Sequence, residues 1–498
     1  MTATTNASDL LREVALNHPD RQAYVHQDRQ ATYAWLDRAA DGFASSLIEL
    51  GTTKGSVVTL ALPSSIKFAA CYLGILRAGA IASAINLRLG VLEQASIFGR
   101  TEPVVTVVGD GVDLPDDVDP GQIVSVSDLG PLLQRSPLAA SAFPALRSDD
   151  PACIVWTSGT TGEPKGAVYD HARMEAISRN IGQLTEPGDR RLVVLPFAHV
   201  GYMTRIWDEL ANGTTVVIAG EPWSAGETLR IIRDEHITMG TGVPTQWELV
   251  LAHPDLATAD FGALRVCGIG GASVSADLVY RMRNALGCPV LTRYTSTEAG
   301  VTTSTQVGDP DEVVATTVGR PAPEVELQII SPMDGTVLQA ETTGEIVCRS
   351  PAMMRGYWKD DQKTDEVIDA QGWLHTGDLG WIGGDGNLRV VGRLVEMYVR
   401  GGYNVYPAEV EAMLSEHPMV LQSAVIGVGD PILGQVGCAF VIPTDPASPP
   451  NLDELRDWCG DRIADYKAPD RLVVLDSLPL TAMHKIDKQA LAILEKQQ

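Results

Sequence analysis

Ten consecutive residues, Thr157-Ser158-Gly159-Thr160-Thr161-Gly162-Glu163-Pro164-Lys165-Gly166, combine hydroxyls, glycines and one lysine at a spacing suited to holding phosphate. Glycines at 159, 162 and 166 remove side chains and permit positive φ, so backbone N–H groups can converge on an anion. Thr157, Ser158, Thr160 and Thr161 add hydroxyl donors, and Lys165 adds a point charge. The spacing is G-x-x-G-x-x-K-G, not the G-x-x-x-x-G-K-[ST] of P-loop nucleotidases, so a plain kinase or GTPase is disfavoured. The apolar run 152–156 reads as a buried strand, which places the loop at a strand end. A mere flexible linker would also be Gly/Ser/Thr-rich, but it would not need the strand before it or the lysine within it.

Further segments with chemical potential follow in order. They are Pro196-Phe197-Ala198-His199-Val200-Gly201, Gly270-Gly271-Ala272 after a strand, and Tyr294-Thr295-Ser296-Thr297-Glu298. Then come Trp373-Leu374-His375-Thr376-Gly377-Asp378-Leu379-Gly380, Gly392-Arg393, the stretch Arg400-Gly401-Gly402-Tyr403-Asn404-Val405-Tyr406-Pro407, and Leu480-Thr481-Ala482-Met483-His484-Lys485-Ile486-Asp487. Taken together from Leu10…His18-Pro19-Asp20 to Lys485, the chain resembles the adenylate-forming superfamily of acyl-CoA synthetases, luciferases and peptide-synthetase adenylation domains.

That resemblance implies a two-step reaction. A carboxylate attacks the α-phosphate of ATP to give an acyl-adenylate and pyrophosphate, and a thiol then displaces AMP. It implies that Thr157–Gly162 and Lys165 clamp the β/γ end of ATP, that Thr297 touches phosphate, and that Glu298 binds Mg²⁺, whose hard charge suits a carboxylate oxygen. Gly270, Gly271 and Ala272 would let adenine lie against backbone, with Tyr294 stacking nearby. Asp378 would accept from the ribose hydroxyls and Arg393 would donate beside it. His199 would stand between the acyl pocket and the thiol entrance, without acting as a general base. Lys485 would reach the reacting carboxylate and α-phosphate, where its charge helps most in the transition state. Gly401 and Gly402 would line the pantetheine tunnel of coenzyme A in a second conformation, reached by rigid-body rotation. Isolated, each short motif has a structural alternative such as an ordinary turn, a satisfied core histidine or a solvated lysine; their common order is what weighs against it.

Three positions depart from the family pattern. Thr295 and His484 stand where glycine is usual, which predicts a local change of backbone shape, and Val395 replaces the usual Asp or Lys of the hinge. Substrate choice is less legible. Glycines in 240–244 and 268–272 leave room for a bulky acid, pointing to a medium-chain, alicyclic or aromatic monocarboxylate. Arg205, six residues past His199, could pair with a second carboxylate if it faced the pocket, but solvation near Asp208 and Glu209 is the expectation.

The elements that must position these residues alternate in type. Ser8 is expected to cap a helix through Ala15, and Thr32 another running to Leu50 before Gly51. Strand 57–62 and helix 66–77 follow, while 109–150, rich in Asp, Pro and Gly, reads as loops. Strands at 192–195, 215–219, 237–241, 264–269 and 290–292 are interleaved with helices near 171–184, 224–235, 244–252 and 275–286, predicting a large α/β domain with parallel sheets. From about 320, short alternating segments predict a smaller antiparallel subdomain. Past Arg393 a final α+β unit is expected, with a helix at 407–415, strands at 421–428, 436–442 and 471–475, and helices at 452–463 and from 487. The fold class is thus mixed α/β, with a domain over 1–394 and a small mobile one over 395–498.

Bulk properties agree with an enzyme of small molecules. The 498 residues exceed what one core normally organises. A net charge of −25 opposes nucleic acid and anionic membrane as partners, so any nucleotide site must be locally positive. The seven cysteines are scattered without C-x-x-C pairs, as expected of thiols in a reducing cytoplasm. The first residues lack a signal pattern and no apolar run could span a bilayer, so stable membrane insertion is not expected. A homodimer is compatible with the sequence. The leading reading is an acid–CoA ligase using ATP, Mg²⁺ and coenzyme A. Its alternatives are an enzyme that loads a carrier-protein thiol, a luciferase-like oxidase, and a non-catalytic nucleotide-binding regulator motivated by Thr295, Val395 and His484.

Overall fold

The computed structural model describes residues 6–158, 163–272, 274–460, 462–481 and 485–496. Two sheets organise the large N-terminal part. One has nine strands, of which six neighbours run parallel: Val290–Ser296, Val266–Gly270, Met239–Gly242, Arg190–Val193, Thr215–Ile218 and Gln22–His26. The other has six strands and ends in an antiparallel pair, Pro151–Ser158 with Pro164–Asp170.

Alternation along the strands decides which core each residue joins. On Arg190–Val193, Val193 packs into the core shared with the helices Tyr33–Glu49 and Ile66–Arg77, while Leu192 faces the opposite core with Val217, Ile269 and Val290. Leu36, Phe43, Leu60 and Phe68 are fully buried in the shared core, each stabilising the fold by roughly 1.5–3 kcal/mol through removal from water. Because sheet strands enter both cores, their C-terminal ends are held in register, and that is where open α/β sheets place ligand sites.

Beyond the second sheet, Glu326–Ile330, Gly344–Arg349, Leu374–Ile382 and Leu388–Arg393 form the antiparallel subdomain. The separate C-terminal domain follows, with strands Tyr398–Arg400, Tyr403–Val405, Val420–Asp430, Gly434–Pro443 and Arg471–Val474 and its own core around Val410, Val425 and Leu455.

Several local expectations are corrected. The first helix, Ala7–Asn17, is capped by Asn6, whose side chain accepts from the Asp9 N–H. Ser8 lies inside that helix and accepts from Arg77 Nε at 2.8 Å; a hydroxyl was available, but the buried guanidinium claimed it. Residues 109–150 are not all loop, since they contain the strand Gln122–Ser125 and the helix Leu129–Leu133. The strand pair Gln22–His26 and Arg29–Thr32 was also missed, its half-polar sequence being too short to show a period. Thr32 does cap the helix Tyr33–Glu49, accepting from the Trp35 N–H.

Candidate functional site

The residues 159–162 and the side chain of Ser158 lie outside the described residues. What flanks them is a hairpin. Pro151–Ser158 pairs antiparallel with Pro164–Asp170, bringing Thr157 opposite Lys165, and Thr157 Oγ1 donates weakly to the Lys165 carbonyl at 3.5 Å. Lys165 therefore sits on a strand rather than in the loop, a correction with a physical consequence: its backbone is fixed by the ladder. Its ammonium lies 5.4 Å from the ring centre of Tyr357, within cation–π range.

Tyr357 links that hairpin to Glu298. Its hydroxyl donates to Glu298 Oε1 at 3.0 Å, and its backbone bridges to Ala167 while Trp358 N–H donates to the Gly166 carbonyl at 2.7 Å. Sequence reading passed over Tyr357, whose only signal was an aromatic pair beside a glycine. Glu298 is held further by its carbonyl, which accepts from Met354 N–H, and the Thr297 carbonyl accepts from the buried Tyr169 hydroxyl at 2.6 Å. The turn carrying both residues is thus secured by three side and main chains from other elements.

On the adenosine side expected from the sequence, Gly270 ends a strand in register with Arg293. A Cβ at Gly270 would stand 2.6 Å from the Arg293 carbonyl oxygen, so only glycine lets these strands approach there. Gly271 follows at φ +78° and Ala272 is exposed. Tyr294 is buried, and its hydroxyl donates to Asp378 Oδ2 at 2.6 Å. Tyr294 is therefore anchored through its hydroxyl. Thr295 continues the strand through a bulge at 294–295 and adopts no positive φ.

Asp378 and Arg393 face each other across antiparallel strands, in register, with Arg393 Nε 3.1 Å from Asp378 Oδ1. Burial raises the Asp378 pKa, while Arg393 and the Tyr294 hydroxyl oppose that rise. A buried carboxylate paired with a partly exposed guanidinium leaves donors and acceptors of both kinds at one edge.

His199 caps the short helix Val200–Met203, its Nδ1 accepting from the Gly201 N–H at 3.1 Å. Enclosure of the ring, followed by the charge of Lys485, depresses its pKa to about 3. At neutral pH the ring is uncharged, and with Nδ1 used as an acceptor the proton resides on Nε2.

Lys485 comes from the C-terminal domain. Its carbonyl accepts from the Thr481 N–H at 2.7 Å and Leu480 bridges Ile486, so the backbone on either side of it is paired. Burial and then the nearby Arg393 lower its pKa, while Asp378 and Glu298 work in the opposite direction. Lys485 thus lies within electrostatic reach of Arg393, Asp378, Glu298 and His199 of the N-terminal part. His484 lies outside the described residues.

Gly401 and Gly402 are not part of this gathering. They form the turn between Tyr398–Arg400 and Tyr403–Val405 with φ of +57° and +91°, and the Gly401 N–H donates to the Leu433 carbonyl within the same domain. Val395 sits in the 3-10 turn Leu394–Glu396 and is 71% exposed.

Arg205 overturns one expectation. It is not solvated but only 6% exposed, donating to Asp208 Oδ2 at 2.5 Å and to Thr185 Oγ1 at 2.8 Å. Pairing with Asp208 was legible from the i, i+3 spacing. Burial was not, because the helix Ile206–Ala211 turns its acidic residues inward.

Comparison with known proteins agrees with this architecture. The family model described as AMP-binding enzyme matches residues 11–358, and that of the AMP-binding enzyme C-terminal domain matches residues 409–485. A 3-[(3aS,4S,7aS)-7a-methyl-1,5-dioxo-octahydro-1H-inden-4-yl]propanoyl:CoA ligase of Rhodococcus jostii (strain RHA1) is 32% identical over 98% of both chains. A feruloyl-CoA synthase of Amycolatopsis sp is 33% identical over 94% of this chain and 95% of its own. Among solved structures, the amide bond synthetase McbA from Marinactinospora thermotolerans superposes with a TM-score of 0.87 at 29% identity, covering 98% of this chain and 99% of its own. The chain belongs to the AMP-binding enzyme family, as an AMP-forming acid–CoA ligase.

Proposed function

We propose that the enzyme activates a carboxylic acid with an alicyclic or aromatic body as its acyl-adenylate and transfers the acyl group to coenzyme A. The observation that carries this reading is the in-register pair of Asp378 and Arg393, anchored by the Tyr294 hydroxyl, with Lys485 of the C-terminal domain within electrostatic reach of Arg393, Asp378, Glu298 and a neutral His199. In the first step a carboxylate oxygen of the acid bonds to the α-phosphorus of ATP as the bond to pyrophosphate breaks. Charge grows on the phosphoryl oxygens and on the leaving group, and the ammonium of Lys485 offsets it where it develops. Lys165, with the residues 157–162, holds the β/γ end.

Asp378 and Arg393 position the ribose, and Gly270, Gly271 and Ala272 leave room for the adenine beside Tyr294. Glu298 would hold Mg²⁺, a hard cation that takes a carboxylate oxygen together with ligand phosphates; bound there, it would screen the triphosphate. The Glu298 carboxylate suits this, since Tyr357 orients it through Oε1 and its position between two tyrosine-anchored segments is fixed. In the second step the sulfur of coenzyme A attacks the acyl carbon and the acyl–phosphate bond breaks to release AMP. His199 lines the thiol's approach with its Nε2–H, a donor and not a base.

The first step uses Lys485, and the second uses the Gly401–Gly402 turn after the small domain rotates about a hinge at 394/395, the boundary between domains 1–394 and 395–498. The alicyclic or aromatic preference is supported by the ligase from Rhodococcus jostii and by the feruloyl-CoA synthase, together with glycines 240, 242, 268 and 270 along the strand ends. A Cβ at Gly268 would stand 3.2 Å from both Leu184 and Thr241 side chains. Among the described residues no helix is long and apolar enough to cross a membrane, and all seven cysteines are free and buried, which supports a cytoplasmic setting. A homodimer belongs to this reading, checked by the particle mass in solution.

Acid-dependent ATP–pyrophosphate exchange, followed by AMP release with coenzyme A, tests the proposal. Exchange without CoA-stimulated AMP release, or release driven better by an amine or by a carrier-protein thiol, would sink the assignment of the acceptor. No exchange with any alicyclic, aromatic or aliphatic acid would sink the activation step.

A further inference from the structure

Three arginines meet inside the N-terminal domain, and two carboxylates accompany them. Arg191 pairs with Glu209 and donates to the Gly201 carbonyl at 2.7 Å. Arg205 pairs with Asp208, which also accepts from Thr185 Oγ1 at 3.0 Å and from Asn212 Nδ2 at 3.2 Å. Arg293 is the third. Its neighbours in the electrostatic sense are Arg205, Asp208 and Arg191, yet both acids are already engaged.

Arg293 is only 9% exposed, and its Nε and Nη2 are buried with no hydrogen-bond partner among the described residues. An unpaired guanidinium away from water is expensive, by several kcal/mol before relaxation. Burial, then Arg205, depresses its pKa to about 9. A buried guanidinium with no carboxylate hydrogen-bonded to it is what a site for an anion looks like before the anion arrives.

Its location favours the acid substrate as that anion. Arg293 stands midway along Val290–Ser296, where the parallel pairing with the neighbouring strand ends in register with Gly270, and one residue before Tyr294, whose hydroxyl reaches Asp378. On the same face of the neighbouring strands, Gly268 pairs with Thr241 and approaches Leu184, next to the Thr185 that holds Arg205. On the other side, Gly201 joins Arg191 to His199 through its carbonyl and its N–H. The arginine cluster is thus tied to both walls of the space proposed for the acyl group.

We propose that the acid activated by this enzyme carries a second carboxylate remote from the reacting one, and that Arg293 receives it. This rests on the acid-activating reading of the site and replaces the monocarboxylate expected from sequence. Arg293 is then a specificity residue: a guanidinium fork accepts a carboxylate in two parallel bonds and leaves a neutral ester or methyl group with a desolvated charge opposite it.

The test uses the full-length enzyme and pairs of acids matched across benzene, cyclohexane and straight-chain frames, each a dicarboxylate and its mono-methyl ester. Exchange of pyrophosphate is measured as kcat and KM for each. The free dicarboxylate is expected to exceed its half-ester by roughly 10- to 100-fold in kcat/KM, mostly through KM. Arg293→Met is expected to remove that difference while kcat for the half-ester stays near wild type, and Arg293→Lys to restore part of it. Half-esters equal to or better than dicarboxylates in the wild-type enzyme on every frame would overturn the proposal, with no variant needed. So would an Arg293→Met enzyme in which kcat falls equally for both members of each pair, since that is the behaviour of a structural residue. Activity with half-esters alone leaves the ligase reading intact, whereas silence with every acid removes both.

Discussion

At the scale of single residues, charge placement decides what the site can do. The ammonium of Lys485 is useful only when protonated, and burial with Arg393 nearby holds its pKa below the ordinary lysine value. Acid-dependent exchange is therefore expected to fall as pH rises through that lowered pKa, and Arg393→Met, which removes a like charge, should move the falling limb to higher pH. A pH–rate profile of both enzymes checks this; a limb unmoved by the substitution would separate Arg393 from Lys485. Lys485→Met should lower exchange by about 10²–10³-fold, while release of AMP from a supplied acyl-adenylate by coenzyme A should change far less. Tyr294→Phe removes the hydroxyl that donates to Asp378. Loss of a hydrogen bond to a buried carboxylate should raise KM for ATP by roughly 10-fold or more, and an unchanged KM would show that Arg393 alone orients the acid. Much of this level was readable from sequence, because Asp378, Arg393, Glu298 and Lys485 lie in long strings of characteristic residues. Arg293 and Tyr357 were not, since one arginine before a tyrosine and one tyrosine beside a tryptophan carry no signal until partners are known.

At the scale of elements, the fold ties distant segments through buried polar contacts. His171 begins the helix His171–Ile181, and its Nδ1 accepts from the Ala7 N–H at the start of the first helix. Burial lowers its pKa to about 4. The unfolded chain takes up this proton first as pH falls through about 6.5, so stability is lost between about pH 6.5 and 4, by about 3 kcal/mol from this residue. His171→Gln keeps an acceptor but cannot titrate, and its urea midpoint should fall less than that of the wild type between pH 7.5 and 5. Equal falls would assign the acid sensitivity elsewhere. Helices with clear caps, such as Tyr33–Glu49 behind Thr32 and Pro407–Ser415 behind its proline, were legible because their start signals are local. The Ala7–Asn17 cap was misassigned to Ser8 because Arg77, distant in sequence, competes for that hydroxyl.

At the scale of the whole molecule, the short turn Leu394–Glu396 joins the antiparallel subdomain to the C-terminal domain. Lys488, on the last helix, reaches back to Glu396 at 2.7 Å and to Glu411 at 3.0 Å, bracing the turn in the arrangement that delivers Lys485. Val395→Pro restricts φ at 395 and the conformation of Leu394. Adenylation should survive while thioester formation from supplied acyl-adenylate falls by about 10-fold or more; normal rates for both steps would put the pivot elsewhere. The sequence by itself determined the reaction class and the alternation of strands and helices, because family motifs, caps and periodic apolar runs are written in neighbouring positions. Only the tertiary structure decided that Arg205 is engaged, that Arg293 is buried with no carboxylate hydrogen-bonded to it, and that Lys485 lies within electrostatic reach of Asp378 and Glu298. Burial and pairing are properties of residues far apart along the chain, and no local pattern encodes which of three arginines is left without a carboxylate.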